Sequence, residues 1–555
     1  MKLDFYRDTR FITTSILGSL VVVYFMQSLT GAQAMENLFD RLAHWSITVF
    51  SLYWIILLIV GSLVSVLVFA QPGVFQRFGD KPEFPALSWF AMILCSVTAY
   101  HAVVQGSSEP LAFFRSPPED YFVAAGTMAT SWWGMAQTIY HHGFFVWATA
   151  IGLVSVLMMH LHYTHKQPLV PRSLLFPLLG KRLTHGIIGY TFDLLCVLAG
   201  LVVLVRAVIE YSSFFVQMID ITTTANALSG ILQTVLILLI ALIFSLSSMS
   251  GLSRGLRFTS EINAMLFGIM IVLMLYTTSA LEVTGHMVYS LTFLASHIST
   301  IVAHRGEAMG LFDSSPWMHY WASSSWSWYV GLAPLMACFI ARISRGRSTF
   351  DVLLTTAVII PTLLMIWITS LGGKNAPRIE QMPVMGDLYT QMKSPQALID
   401  ISYGIFGGNI GPFALLLLFL LGMLFVSTTG DTVCYMIARV LTPIEQKTNY
   451  RIRLTYAGMV TLIILLASFG ETQQVILTLD GLVIFLTIPI SLVLGLSFWW
   501  VLRYATHQSL GHYQLVRERF FDRLRLLREQ ELGTAALPKS NQGTVTDTRD
   551  TPIRP

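Results

Sequence analysis

The chain has 555 residues, of which 54% are hydrophobic and 12% charged, with a mean hydropathy of +0.65 and a formal net charge of +4. Soluble domains carry about 25% charged residues, so this composition excludes an ordinary soluble or disordered protein and points to a polytopic membrane protein. Several apolar runs reach the roughly 20 residues that take a helix across a bilayer, whereas a β-barrel would show short alternating strands.

In chain order the runs predict an all-α protein of about twelve membrane spans, at 11–30, 46–70, 86–106, 138–163, 188–211, 228–248, 262–282, 320–341, 350–371, 411–437, 453–469 and 477–502. Lys2, Arg7 and Arg10 precede the first span. Every second gap after it is basic: Arg77 and Lys81; Lys166, Arg172, Lys181 and Arg182; Arg254 and Arg257; Arg342, Arg345 and Arg347; Arg439, Lys447 and Arg451. Basic loops stay in the cytoplasm, so both termini are expected there. The basic start, its apolar stretch and Gly31-Ala32-Gln33-Ala34 have the look of a secretory signal. The stretch is long for that class, and an even number of spans needs it, so it is read as the first span.

Between the seventh and eighth spans, 284–304 is moderately apolar and is expected to lie as an interfacial helix. Its His286, His297 and His304 return to one helical face, but at a rise of about 1.5 Å per residue they sit roughly 10–16 Å apart along the axis, too far to share a metal ion. Cys95, Cys196, Cys338 and Cys434 all fall in apolar segments without ligand spacing, and read as buried small hydrophobes. After 502 the chain turns basic and amphipathic, with Arg517, Arg519, Arg523, Arg525 and Arg528 among Leu and Phe. Such a helix suits an anionic lipid surface, and either a regulatory role or a plain solvated stalk fits it. Beyond about Gly533 the composition is that of a disordered tail. No Walker motif, dinucleotide fingerprint or HExxH occurs. Secondary transport, a channel, a membrane enzyme or a sensor remain, and no nucleic-acid partner is implied.

Three features inside the spans bear on function. Aromatic residues crowd the eighth span: Trp317, Tyr320 and Trp321 suit the interfacial belt, while Trp328 and Tyr329 lie about two turns deeper. Aromatic faces attract cations that cannot donate hydrogen bonds, at about 0.5–2 kcal/mol per ring. Arg206 and Glu210 lie within the fifth span at a spacing that lets them pair, and intramembrane charges are costly and usually functional. A purely structural pair is the alternative. His101, with an ordinary pKa near neutrality, is a proton-relay candidate or a satisfied core histidine.

The phrase Ala341-Arg342-Ile343-Ser344-Arg345-Gly346-Arg347, following Ala333-Pro334 in an aromatic helix, resembles the betaine/carnitine/choline transporter (BCCT) family. The run Trp321 to Pro334 is similar to the family's W-T-x-F-Y-W-x-W-W-x-x-W-A-P, and Gly106-Ser107-Ser108-Glu109-Pro110 to its G-T-T-E-P. Trp147 matches a tryptophan of its H-W-T-x-H-P-W-A-x-Y. The resemblance extends to Ile360-Pro361 and Gly372-Gly373 and covers most of the chain.

It implies a LeuT-like inverted repeat of five plus five helices preceded by two extra helices, in a bacterial inner membrane. The organisation is then a cytoplasmic N-terminus at 1–10, two leading helices at 11–70 and a first repeat at 86–282. The interfacial segment at 284–304, a second repeat at 320–502 and a cytoplasmic helix and tail at 503–555 follow. The resemblance also implies a secondary transporter of a small quaternary-ammonium or zwitterionic solute, with no catalytic activity, no cofactor, sodium or proton coupling left open, and a homotrimer.

Its aromatic box maps here to Trp147, Trp328 and Tyr329, with His142 and Leu332 where the family has Trp, Ala150 where it has Tyr, and Ser323, Ser324 and Ser325 where it is bulkier. The family's sodium-ligand hydroxyls map to Ser427, Thr428 and Thr429, although such hydroxyls often bond back to their own helix. Its glycine-rich third-span motif is replaced by Val97-Thr98-Ala99-Tyr100-His101, and Arg206 is a candidate to stand in for an ion, as an arginine does in sodium-independent relatives. Two alternatives stay open: a LeuT-type carrier of another amino-acid-like solute, and a transport-dead osmotic or solute sensor.

Overall fold

The computed structural model describes residues 32–79, 81–98, 106–115, 127–223, 229–298, 301, 322–373, 395–442, 450–470 and 472–535. Among them there is no strand, only one isolated bridge between Arg77 and Ser348. Lipid offers backbone groups no partners, so a spanning segment must satisfy its own hydrogen bonds, and helices do so. Ten helices are long and apolar enough to cross a membrane, and Ala86–Val97 is a shorter apolar one. These eleven coincide with eleven of the twelve expected spans; the span at 11–30, Trp317, Tyr320, Trp321 and His304 lie outside the described residues.

In chain order the main helices are α1 (Ala32–Phe69), α2 (Ala86–Val97), α3 (Gly106–Arg115), α4 (Met128–Thr164) and α5 (Ile187–Thr223). Next come α6 (Ser229–Ser250), α7 (Arg257–Thr278), α8 (Ala280–Ser296) and α9 (Ala322–Ile343). Then follow α10 (Thr349–Gly372), α11 (Pro395–Leu441), α12 (Tyr450–Ser468) and α13 (Thr472–Ala535). The segment read as interfacial contributes α8, separated from α7 by Ser279 at φ 65°, and its Tyr289 stacks on Trp132 of α4. All four cysteines are buried and free.

Burial is distributed as a membrane bundle requires. In α4 and α9 most of the apolar window is buried, 89% and 94%, so these two helices sit at the centre. α6 and α12 are only 28% and 22% buried. Their exposed leucines and isoleucines, with Val272 and Tyr276 of α7, would be intolerable in water over this area and are suited to lipid. α9 packs against α4, α5 and α13, and α5 against α11 and α13. α5 and α9 approach closely at Gly200, where a Cβ would stand 2.4 Å from the tip of the Leu335 side chain.

The basic stretch after α9 is not loose. Gly346 N–H donates to Phe78 O at 2.7 Å, Phe78 N–H to Arg347 O at 3.0 Å, and an Arg347 guanidinium N–H to Phe84 O at 2.9 Å. Trp89 donates its indole N–H to Ser344 and lies under Arg347. Arg342 pairs with Glu83 at 2.6 and 3.0 Å, both side chains about a third exposed. Exposed pairs of this kind contribute about 0–1 kcal/mol. Arg342→Ala is therefore expected to lower thermal stability by under about 1 kcal/mol, read by the unfolding midpoint in detergent; a loss several times larger would show that the ion pair, rather than the backbone contacts, holds this junction.

Candidate functional site

The site forms where α4 bends. Gly143 breaks the helix at φ −94°, ψ −145°, and a Cβ there would lie 2.3 Å from Ile139 O, so the bend needs glycine. The helix resumes and widens into a π-turn over Trp147–Leu153, a departure common at functional sites. The bend and the π-turn present His141, His142 and Trp147 towards α3 and α9.

His142 and Trp147 are fully buried. Tyr329 of α9 joins them: its ring centroid is 6.4 Å from that of Trp147 and 6.2 Å from that of His142, and its hydroxyl is 3.2 Å from His142 Nδ1. Three of the expected pocket residues therefore meet. Glu109 of α3 closes the group, holding His141 Nδ1 on one carboxylate oxygen at 2.5 Å and His142 Nε2 on the other at 2.7 Å. Beyond His141, Tyr140 and Trp326 pack edge-on with centroids 5.0 Å apart. The Tyr140 hydroxyl and the indole N–H groups of Trp147 and Trp326 are buried without hydrogen-bond partners among the described residues.

Trp328, one residue before Tyr329, faces another way. The Arg206 guanidinium lies 3.6 Å from its ring centroid. Arg206 also pairs with Glu210, as the spacing predicts, and its Nε reaches Asp480 of α13 at 2.5 Å. Among the described residues one cation stands here against two carboxylates. Arg206 thus joins α5 to α13 and covers one face of Trp328, so it is lodged among protein carboxylates.

Other expected residues lie elsewhere. Leu332 is buried in the seam between α9 and α5, near Gly200. Ser324 falls within α9, but its side chain is outside the described residues, as is all of His101. Ser427 bonds back to Met423 O, and Thr428 to Leu424 O. Thr428 and Thr429 also reach Cys95 O of α2, at 2.9 and 3.4 Å. Both hydroxyls, which the resemblance offers as sodium ligands, are engaged with that carbonyl. Among the described residues no group of three His, Cys, Asp or Glu is placed to hold a metal ion.

Sequence reasoning missed Glu109 as a site residue, along with His141, Asp480, Tyr140 and Trp326. Two signals were available: Asp480 is an acid inside the apolar stretch Gln474–Thr506, and adjacent histidines inside a span are as unusual.

Fold and site together define the class: a multi-pass, all-helical membrane protein whose buried charges and aromatic rings meet between central helices. The model of the BCCT, betaine/carnitine/choline family transporter, matches residues 11–510. The chain belongs to that family, and is a solute transporter. It is 27% identical over 488 residues to glycine betaine transporter 2 of Vibrio parahaemolyticus, covering 86% of each chain. It is 26% identical over 371 residues to the osmo-independent choline transporter BetT1 of Acinetobacter baylyi, covering 65% of this chain and 67% of the other. A crystal structure of MhsT in complex with L-phenylalanine matches 79% of this chain and 99% of its own at 13% identity, with a TM-score of 0.45.

Proposed function

We propose that this protein is a secondary active transporter of a small quaternary-ammonium or zwitterionic solute, of the betaine, choline or carnitine kind. It sits in a bacterial inner membrane with both termini cytoplasmic and works by alternating access. One observation carries the substrate class: the buried rings of Trp147 and Tyr329 meet, and His142 links Tyr329 to the Glu109 carboxylate. A cation that cannot donate hydrogen bonds is held by ring faces and by nearby negative charge. The Arg206 guanidinium lies 3.6 Å from the Trp328 ring centroid, a cation–π contact of the kind proposed for the solute. Trp147 and Tyr329 hold the solute, His142 and Glu109 set the charge beside it, and Trp328 acts through Arg206.

The test is uptake of radiolabelled glycine betaine, choline and carnitine into cells lacking their own carriers, with and without sodium. Trp147→Ala is expected to weaken solute binding by about ten- to thirtyfold, the worth of one desolvated cation–π contact at about 2 kcal/mol. Unchanged binding by that variant, or no uptake of any of the three by the wild type, would remove this reading.

A further inference from the structure

We infer that Tyr140 and Trp326 form the anion half of the solute site, so that the solute this protein takes carries a carboxylate close to its quaternary nitrogen, as a betaine does and choline does not. The inference rests on the solute reading above and deepens it.

The Tyr140 hydroxyl and the indole N–H groups of Trp147 and Trp326 have no hydrogen-bond partner among the described residues, and all three side chains are 2% exposed or less. An indole N–H can only donate, and a buried donor left unpaired is costly. A quaternary ammonium offers no acceptor, so a head resting on Trp147 and Tyr329 satisfies none of the three. A carboxylate offers two oxygens with about four acceptor positions. The protein's own carboxylate does not serve these donors, because Glu109 has one oxygen on His141 and the other on His142. The group that does must therefore arrive with the solute.

The layout of the rings sets where that group falls. α4 and α9 meet in two successive layers. Tyr140 meets Trp326 with ring centroids 5.0 Å apart at 90°, and further along both helices Trp147 meets Tyr329 at 6.4 Å. On α9 the layers are three residues apart, a spacing that makes neighbours on one helix face and a step of about 4.5 Å along the axis. On α4 the bend at Gly143 lies between them. The two histidines link the layers, the His141 ring 6.3 Å from Trp326 and the His142 ring 6.2 Å from Tyr329. In a betaine a single methylene separates the quaternary nitrogen from the carboxylate carbon. A head in the layer of Trp147 and Tyr329 thus puts its carboxylate in the layer of Tyr140 and Trp326. Choline brings only a neutral hydroxyl there, and tetramethylammonium brings nothing.

The experiment measures binding of glycine betaine, choline and tetramethylammonium to the purified full-length protein, in buffers with and without sodium. The wild type is expected to bind glycine betaine about tenfold or more tighter than either other probe, the worth of a hydrogen bond to a charged group. Tyr140→Phe and Trp326→Phe each keep a ring and remove a donor. Each is expected to weaken glycine betaine by about tenfold and to leave tetramethylammonium within about twofold, since only the carboxylate loses a bond. Trp147→Ala, by contrast, is expected to weaken all three probes. If Trp326→Phe fails to fold, Tyr140→Phe decides, because it removes a single oxygen. A wild type that prefers choline or tetramethylammonium overturns this inference alone. So do donor variants that weaken all three probes alike, which is a packing effect, or that keep the wild-type ratio. Failure of every probe to bind the wild type overturns the solute reading and this inference with it.

Discussion

Replacing Arg206 with alanine is expected to be the most damaging single side-chain deletion in the membrane core, costing about 3–5 kcal/mol, the usual loss when one partner of a buried ion pair is removed. The reason lies in what the change leaves behind. Glu210 and Asp480 are 4% and 8% exposed, and both lean on the same guanidinium. Without it, both carboxylates lose a buried cationic partner, and breaking one side of a buried ion pair is strongly destabilising. Trp328 loses its cation at the same time. Arg206→Lys is expected to recover only part of the loss, because a compact ammonium cannot meet two carboxylates and lie flat on an indole together. The triple variant Arg206→Met, Glu210→Gln, Asp480→Asn removes all the charge and should restore most of the stability, as neutral replacements of buried ion groups often do. Thermal unfolding of the four proteins in one detergent checks this. If the alanine variant melted with the wild type, the network would be a by-product of packing and could not hold α5 to α13.

Comparing that network with its trace in the sequence shows what linear information can reach. The Arg206–Glu210 pair was legible because a helix places residues four apart on one face, and both fall in an apolar run. Asp480 was not, since it is 274 residues away and no spacing rule connects it to Arg206. The same division holds at the pocket. His142, Trp147 and Tyr329 could be named in advance because the aromatic motifs are contiguous stretches, whereas Glu109 appeared only as a letter in one. Its two bonds to the histidines exist because α3 and α4 are pressed together, with Gly134 close enough that a Cβ would sit 2.9 Å from Pro110 O. Trp328 is one residue before Tyr329, about 100° away round the helix, and that rotation turns it from the face of Tyr329 to that of Arg206.

The helices themselves were the easy part, because a lipid environment demands long uninterrupted apolar runs. Their ends were harder. The fourth span was expected to begin at 138, yet α4 starts at Met128, ten residues earlier. The stretch Met128–Gln137 contains Thr130, Ser131 and Gln137, which lower its hydropathy, but all three are buried against other helices, not set in lipid. Hydropathy reports affinity for lipid, and a helix sheathed by protein need not show it.

The junction after α9 carries the second large prediction. Gly346 has φ +80°, a conformation that costs other L-residues roughly 1–2 kcal/mol. A Cβ there would stand 2.3 Å from the carbonyl carbon and oxygen of Lys81 and 2.4 Å from Pro82 N, all of them backbone atoms that cannot swing aside. Gly346→Ala must therefore push the two loops apart, and the bonds from Gly346 N–H to Phe78 O and from Phe78 N–H to Arg347 O open together. At about 1 kcal/mol per displaced hydrogen bond, added to the strain, the expected loss is about 3–4 kcal/mol. Arg342→Ala, four residues earlier in the same motif, removes a full charge and is expected to lose less than a third of that. The ordering is the informative part. An electrostatic latch would make the arginine change the worse of the two, while a backbone latch makes the glycine change worse although it adds one carbon and alters no charge. Size-exclusion profiles and unfolding midpoints of both variants, expressed side by side, decide between them; equal stability of the two would sink the backbone account and return the motif to its arginines.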